Sequence, residues 1–232
     1  MNITFPERQA DVAELAVDGR VVKFRIPPVT GTHSECFRVT DVKTRAAEGY
    51  EIAAFVYGAL VYRKNDWGNK GRILFPDSNY LRIPRVLTVI PDQKEFGDLA
   101  GTMLVDSDLS GEGIEKLTEV PSNFDGWTQN SSGLMVKNNR IAVPKDKWYF
   151  DTWDSKNGAV VALFGEGGVE ILDRAAVDSN RNYKPLWKVD INSIKELQKR
   201  VPVLNGDYVD RLGMYCNNDG NYRIGCAVRV LN

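Results

Sequence analysis

The stretch richest in groups able to do chemistry is Asp146-Lys147-Trp148-Tyr149-Phe150-Asp151-Thr152-Trp153-Asp154. Indole rings such as Trp148 and Trp153 beside carboxylates suit a sugar ligand. Asp151 and Asp154 could hydrolyse a glycoside if their carboxyl groups stood roughly 5–9 Å apart. The spacing works against that geometry. On a strand, expected over 147–151, Asp151 and Asp154 point to opposite faces. The same letters also describe packed aromatics followed by an Asp-rich turn before Gly158.

A second motif is Asp106-Ser107-Asp108-Leu109-Ser110-Gly111. Calcium loops place oxygen ligands at positions 1, 3 and 5 and a glycine at 6. Asp106, Asp108, Ser110 and Gly111 meet that pattern, but the bidentate glutamate of position 12 is replaced by Leu117. An Asp/Ser turn capping the next helix is the favoured reading, so no cofactor is expected and Ca2+ is the one alternative.

The remaining reactive groups are few. His33 is the only histidine, which excludes two-histidine zinc sites such as HExxH and makes any His-based triad depend on one residue. His33 and Cys36 lie three apart, as a thiolate–imidazole pair could, but the Gly, Thr and Ser around them suggest a loop that does not fix the geometry. Cys216 and Cys226 both fall on the inward face of a terminal hairpin, which favours buried thiols, and the mirrored register sets Cys226 opposite Leu212, which argues against a bond between them. Gly165-Glu166-Gly167-Gly168 sits between an apolar run and a helix, a phosphate-cradle context. The full motif is absent and Glu166 would repel an anion.

Composition narrows the class. The 232 residues carry 26% charged and 43% hydrophobic side chains and a net charge of −1, the profile of a folded domain with a sizeable core. No basic run supplies a phosphate footprint, so no nucleic-acid partner is expected. The longest apolar run, Ile52 to Tyr62, is about half the roughly 20 residues a membrane span needs, and no membrane partner is expected either. Three cysteines at no metal-site spacing suit reduced thiols, and Met1–Arg8 lacks a secretion signal. A cytoplasmic location is expected.

The elements that would position these groups are read from periodicity and turn chemistry. The Ile52–Tyr62 run is interior packing, in a helical pair over 41–48 and 51–64. Residues 2–5 read as a strand and 7–16 as the start of a helix. Asp18-Gly19 between apolar runs predicts a β-hairpin. Strands are expected at 72–75, 80–83, 86–90 and 99–105, and a helix at 111–119. Residues 121–139 are the most linker-like, although Phe124 and Trp127 imply packing. The pattern continues with strands at 134–137, 140–143 and 159–164 and a helix over 168–178. Ser193 with Glu196 predicts a capped helix ending before Pro202. Residues 211–216 and 222–230 alternate as a C-terminal β-hairpin packed on the core. The fold class is α+β, with mixed, mainly antiparallel sheets and a few short helices. A boundary at 120/121 would give regions 1–120, with the buried central helix, and 121–232; one continuous domain is the alternative.

No constellation assembles a nucleophile with its base. The leading expectation is therefore a non-catalytic binding or interaction domain with a protein or small-molecule ligand. The alternatives are a carboxylate-dependent, glycoside-hydrolase-like enzyme with Asp151, Asp154, Trp148 and Trp153 lining its site, and a calcium-stabilised domain.

Overall fold

The structure is a computed structural model. It describes residues 3–4, 12–17, 19–26, 28–32, 35–36, 42–64, 80–106, 123–138, 140–148, 152–181, 183–184, 186, 194–205, 212–217 and 224–231. The class is α+β, with mainly antiparallel sheets and a few helices, as the residue pattern implies.

One sheet has five strands: β1 (Ile3–Thr4), β2 (Val12–Val17), β3 (Arg20–Arg25), β15 (Val228–Val230) and β5 (Thr44–Ala46), in that order. The Asp18-Gly19 hairpin is present: Val17 pairs with Arg20, and Gly19 takes φ +78°, the left-handed value a tight hairpin turn demands. The second sheet has ten strands. Its order is β4 (Val29–Gly31), β14 (Ile224–Cys226), β6 (Tyr80–Arg82), β12 (Gln198–Asn205), β7 (Val86–Val89), β8 (Met103–Asp106), β11 (Arg140–Val143), β10 (Met135–Lys137) and β9 (Thr128–Gln129), with β13 (Gly213–Asn217) also paired to β12.

Four α-helices occur among the described residues: α1 (Gly49–Lys64), α2 (Lys145–Trp148), α3 (Gly158–Phe164) and α4 (Glu166–Asp178). The Ile52–Leu60 stretch of α1 is buried throughout, as expected of interior packing. Phe55 meets Phe24 of β3 edge to face at 5.2 Å. Helix α1 also packs on α3 and α4, and α3 rests on β8 and β11. The helices thus join the two sheets around one core running from Leu15 to Ala227.

Several expectations are corrected. Residues 12–16 are strand, not helix. Residues 44–46 are strand β5, so α1 has no helical partner before it there. Residues 145–148 form the short helix α2 where a strand was expected from 147.

Ala159–Phe164 is a helix, not a strand. A helix buried on every side shows no periodicity, and what decides is Asn157, whose side chain accepts from the Ala159 and Val160 amides at 3.0 and 3.2 Å. This is an N-cap.

The Ser193/Glu196 pattern does not start a helix either: residues 198–205 are β12. Pro202 is tolerated there because β12 changes neighbours, pairing through Gln198–Arg200 with β7 and through Val203–Asn205 with β6. The missing amide falls at that changeover.

The terminal strands form but do not pair with each other. β13 pairs with β12, β14 lies between β4 and β6, and β15 lies between β3 and β5. The expected strand at 72–75 and helix at 111–119 lie outside the described residues.

Candidate functional site

The aromatic–acidic stretch is largely spent on packing. Trp148, on α2, donates its indole N–H to the Gly101 carbonyl at 3.3 Å; Trp153 donates to the Leu212 carbonyl at 2.9 Å. Both are buried, Trp153 completely. The Lys184 ammonium stands 5.0 Å from the Trp153 ring centroid and binds Asp173, a cation–π contact that further fixes the ring. Asp154 is exposed, and its carboxylate closes a turn by accepting from the Lys156 amide at 2.7 Å. Asp151 lies outside the described residues. The indole faces that a sugar would stack on are covered, and the described carboxylate has a local backbone partner.

Asp106 ends β8 as a buried residue and receives Arg140 Nε at 3.2 Å from β11. The Arg85 guanidinium is drawn below its ordinary value by burial, a pull that the Glu48 and Asp106 charges oppose. Asp106 thus already serves two cationic neighbours. Asp108 and Ser110 lie outside the described residues. Among the described residues, no group of three or more His, Cys, Asp or Glu side chains is placed to hold a metal ion. His33 is likewise outside the described residues. Gly165-Glu166-Gly167-Gly168 is the junction of α3 and α4, where Gly165 at φ +71° ends one helix and begins the next. Glu166 accepts from the Ser132 hydroxyl at 2.7 Å.

What the structure brings together instead is a second, smaller core under two loops. Ile90, Leu99, Leu104, Trp127 and Ala142 form it, with Phe96, Phe124 and Met135 packed on it and still partly exposed. The linker-like stretch therefore packs, as Phe124 and Trp127 implied: their rings meet edge to face at 5.7 Å.

The first loop, 91–101, carries a 3-10 helix (Lys94–Leu99) bent at Gly97. It is closed by Gly101 N–H donating to the Pro91 carbonyl at 3.2 Å, and its Asp92 binds Lys145 at 3.1 Å. The second, 123–134, is built on asparagines. Asn123 accepts from the Asp125 amide at 3.0 Å, and Asn130 from the Ser132 and Leu134 amides at 3.0 and 2.9 Å. Such side-chain caps let a loop hold one shape without a sheet ladder.

Above this frame Lys94, Glu95, Asp98, Asp125, Thr128, Gln129, Asn130 and Ser131 are exposed. The two loops thus present mixed polar groups beside half-buried aromatic rings. The asparagine turns were visible as turn chemistry. That Phe96 and Phe124, 28 residues apart, pack on one small core required the β8–β11 pairing, which no local pattern encodes.

No family model matches the chain, and no curated protein matches it. A solved structure described as "Accommodation of massive sequence variation in Nanoarchaeota by the C-type lectin fold" is similar at 14% identity. That likeness covers 90% of this chain and 97% of the other, with a TM-score of 0.44. Among the described residues, no helix is long and apolar enough to cross a membrane.

Proposed function

We propose that this chain is a non-catalytic binding domain whose contact surface is the pair of loops 91–101 and 123–134. The observation that carries the reading is that Phe96 and Phe124 stay partly exposed on a core of their own while Asn123 and Asn130 hold the loops around them. Partly exposed aromatic anchors ringed by polar side chains are the usual energetic centre of a contact surface, and loops already fixed in shape lose little entropy on binding. The ligand is a protein or a small molecule bearing polar groups, matched to the mixed charge of Lys94, Glu95, Asp98 and Asp125.

The test is a thermal-shift screen of sugars, nucleotides and metal ions, extended to protein partners, with each hit mapped by amide chemical shifts. Binding should perturb residues 94–98 and 123–131. Phe124→Ala should weaken it about 30-fold, as expected of an anchor worth roughly 2 kcal/mol, and Trp153→Phe should not. Hits that map elsewhere, or that ignore Phe124→Ala, overturn the proposal.

A further inference from the structure

Cys36 and Cys226 come from opposite ends of the chain and meet in one small buried cluster with Ala46. The β4–β14 ladder makes the meeting. Ile224 pairs with Gly31 and Cys226 with Val29. Cys36 folds back onto the end of β4, its amide donating to the Thr32 carbonyl at 3.0 Å and its thiol to the Gly31 carbonyl at 3.8 Å. The Cys226 thiol donates to the Ala227 carbonyl at 3.6 Å, and the two cysteines are neighbours in the one cluster. A single buried cysteine needs no explanation beyond its small apolar bulk. Two cysteines gathered in one buried cluster, with the charge of buried Arg82 acting on them, are a more specific arrangement.

We propose that Cys36 and Cys226 are a redox site, at which a hydroperoxide oxidises Cys36 and Cys226 then closes a disulfide with it. The electrostatics set the order of events. The neighbouring Cys226 lowers the Cys36 thiol below its ordinary value, and the Arg82 charge adds to this against the opposing pull of burial and Glu35. The neighbouring Cys36, with burial, pushes Cys226 well above its ordinary value. Cys36 is thus the more acidic of the two, and we assign it the first attack.

With hydrogen peroxide, the Cys36 sulfur attacks one oxygen and the O–O bond breaks. Cys36 becomes a sulfenic acid, and the departing hydroxide takes up a proton to become water. The Cys226 sulfur then attacks Cys36 Sγ, the S–O bond breaks, and hydroxide leaves with the Cys226 proton as a second water. The peroxide gains the two electrons that the thiols lose.

Access requires only a local opening. The turn carrying Cys36 is fastened by Thr32 N–H to the Glu35 carboxylate at 2.8 Å and by Glu35 N–H to the Thr32 hydroxyl at 3.3 Å, both exposed bonds. In the proposal, release of that turn is the local opening that admits the peroxide to Cys36.

The experiment uses the full chain, purified reduced, treated with hydrogen peroxide and quenched. The three thiols should fall to one on titration after unfolding. Peptide mass mapping should find residues 36 and 226 joined, two mass units below the sum of the separate peptides, and a dithiol reductant should reverse the change. Closing a loop of about 190 residues should raise the melting temperature by about 5–15 °C. Cys216→Ser should form the same link. Oxidation without a 36–226 link, or a link that uses Cys216, overturns the proposal. The wild-type mapping decides it even if Cys36→Ser fails to fold.

Discussion

Two adjacent glycines at the start of α4 should respond to the same substitution with opposite signs. Gly167 is exposed, and a Cβ built on it meets only Tyr50 Cδ2, at 3.8 Å. Gly168 is buried, and its Cβ would stand 2.9 Å from Phe164 Cβ and 3.3 Å from Tyr50 Cα. Both residues are helical, so alanine at either removes backbone freedom from the unfolded chain, worth about 0.4–1 kcal/mol. At Gly167 nothing opposes this gain. At Gly168 the obstructing atoms lie on or next to the backbone and cannot swing aside, so α4 must shift away from both the end of α3 at Phe164 and the start of α1 at Tyr50. Overpacking of this kind costs about 1–3 kcal/mol.

The net expectation for Gly168→Ala is a loss of about 1–2 kcal/mol. For a chain of this length that is a melting temperature roughly 2–8 °C lower, while Gly167→Ala should be roughly 1–4 °C higher. Urea titrations of the two variants with unchanged slope give the free energies directly. A Gly168→Ala protein as stable as Gly167→Ala would refute the close approach of α4 to Phe164 and Tyr50.

Other expectations follow from single polar contacts. Asn157→Ala removes the cap of α3 and should cost about 1–2 kcal/mol in urea; no loss would mean the helix is held by burial alone. Glu51 accepts from Arg45 at 2.7 and 2.8 Å and from Arg229 at 2.9 Å. Glu51→Ala leaves two guanidinium groups without their shared anion and should cost about 2–3 kcal/mol, measured the same way; a cost under about 0.5 kcal/mol would class the cluster with ordinary surface pairs. Tyr57 donates to Asp178 at 2.6 Å, and burial, with the hydrogen bond and charge of Asp178, pushes the phenol up to about 12 from 10.0. A proton held more tightly in the folded state stabilises fully below the unfolded value and is lost as pH rises from about 10 to 12. Wild-type stability should therefore fall relative to Tyr57→Phe across that window, and parallel stability curves would refute the assignment.

What was legible in the sequence is what short-range chemistry decides. Asp18-Gly19 needs only its own backbone preference to turn. Val169, Leu172, Ala175 and Ala176 recur at helical spacing, and all are buried on α4. Ile52–Leu60 is too apolar to lie anywhere but inside. The misreadings share a cause as well. Ala159–Phe164 carries no periodicity because every face is covered, and its one local signal was Asn157. Ser193 and Glu196 have the spacing of a capping box, but the sheet takes the following residues because β6, β7 and β13 all pair with them. Tertiary pairing outweighs a cap worth about 1 kcal/mol. The site residues fared likewise. Trp153 looks like a ligand platform until Leu212, 59 positions on, supplies a carbonyl for its N–H.

The end of the chain gives these long-range contacts a common logic. Residues 224–230 do not add a flap to a finished body. β14 runs between β4 and β6, and β15 between β3 and β5, so one short segment is an interior strand of both sheets. Each sheet would have a gap without it, with unpaired N–H and C=O groups on both sides, a costly arrangement for buried backbone. Two side-chain contacts secure the insertion from the N-terminal region: Glu51 on α1 holds Arg229, and Cys36 meets Cys226. Both contacts fasten the same insertion, one by charge and the other by sulfur. Oxidation of the cysteine pair would therefore make permanent a closure that strand pairing and the Glu51–Arg229 ion pair otherwise maintain without a covalent bond, which is why its effect should be read in global stability.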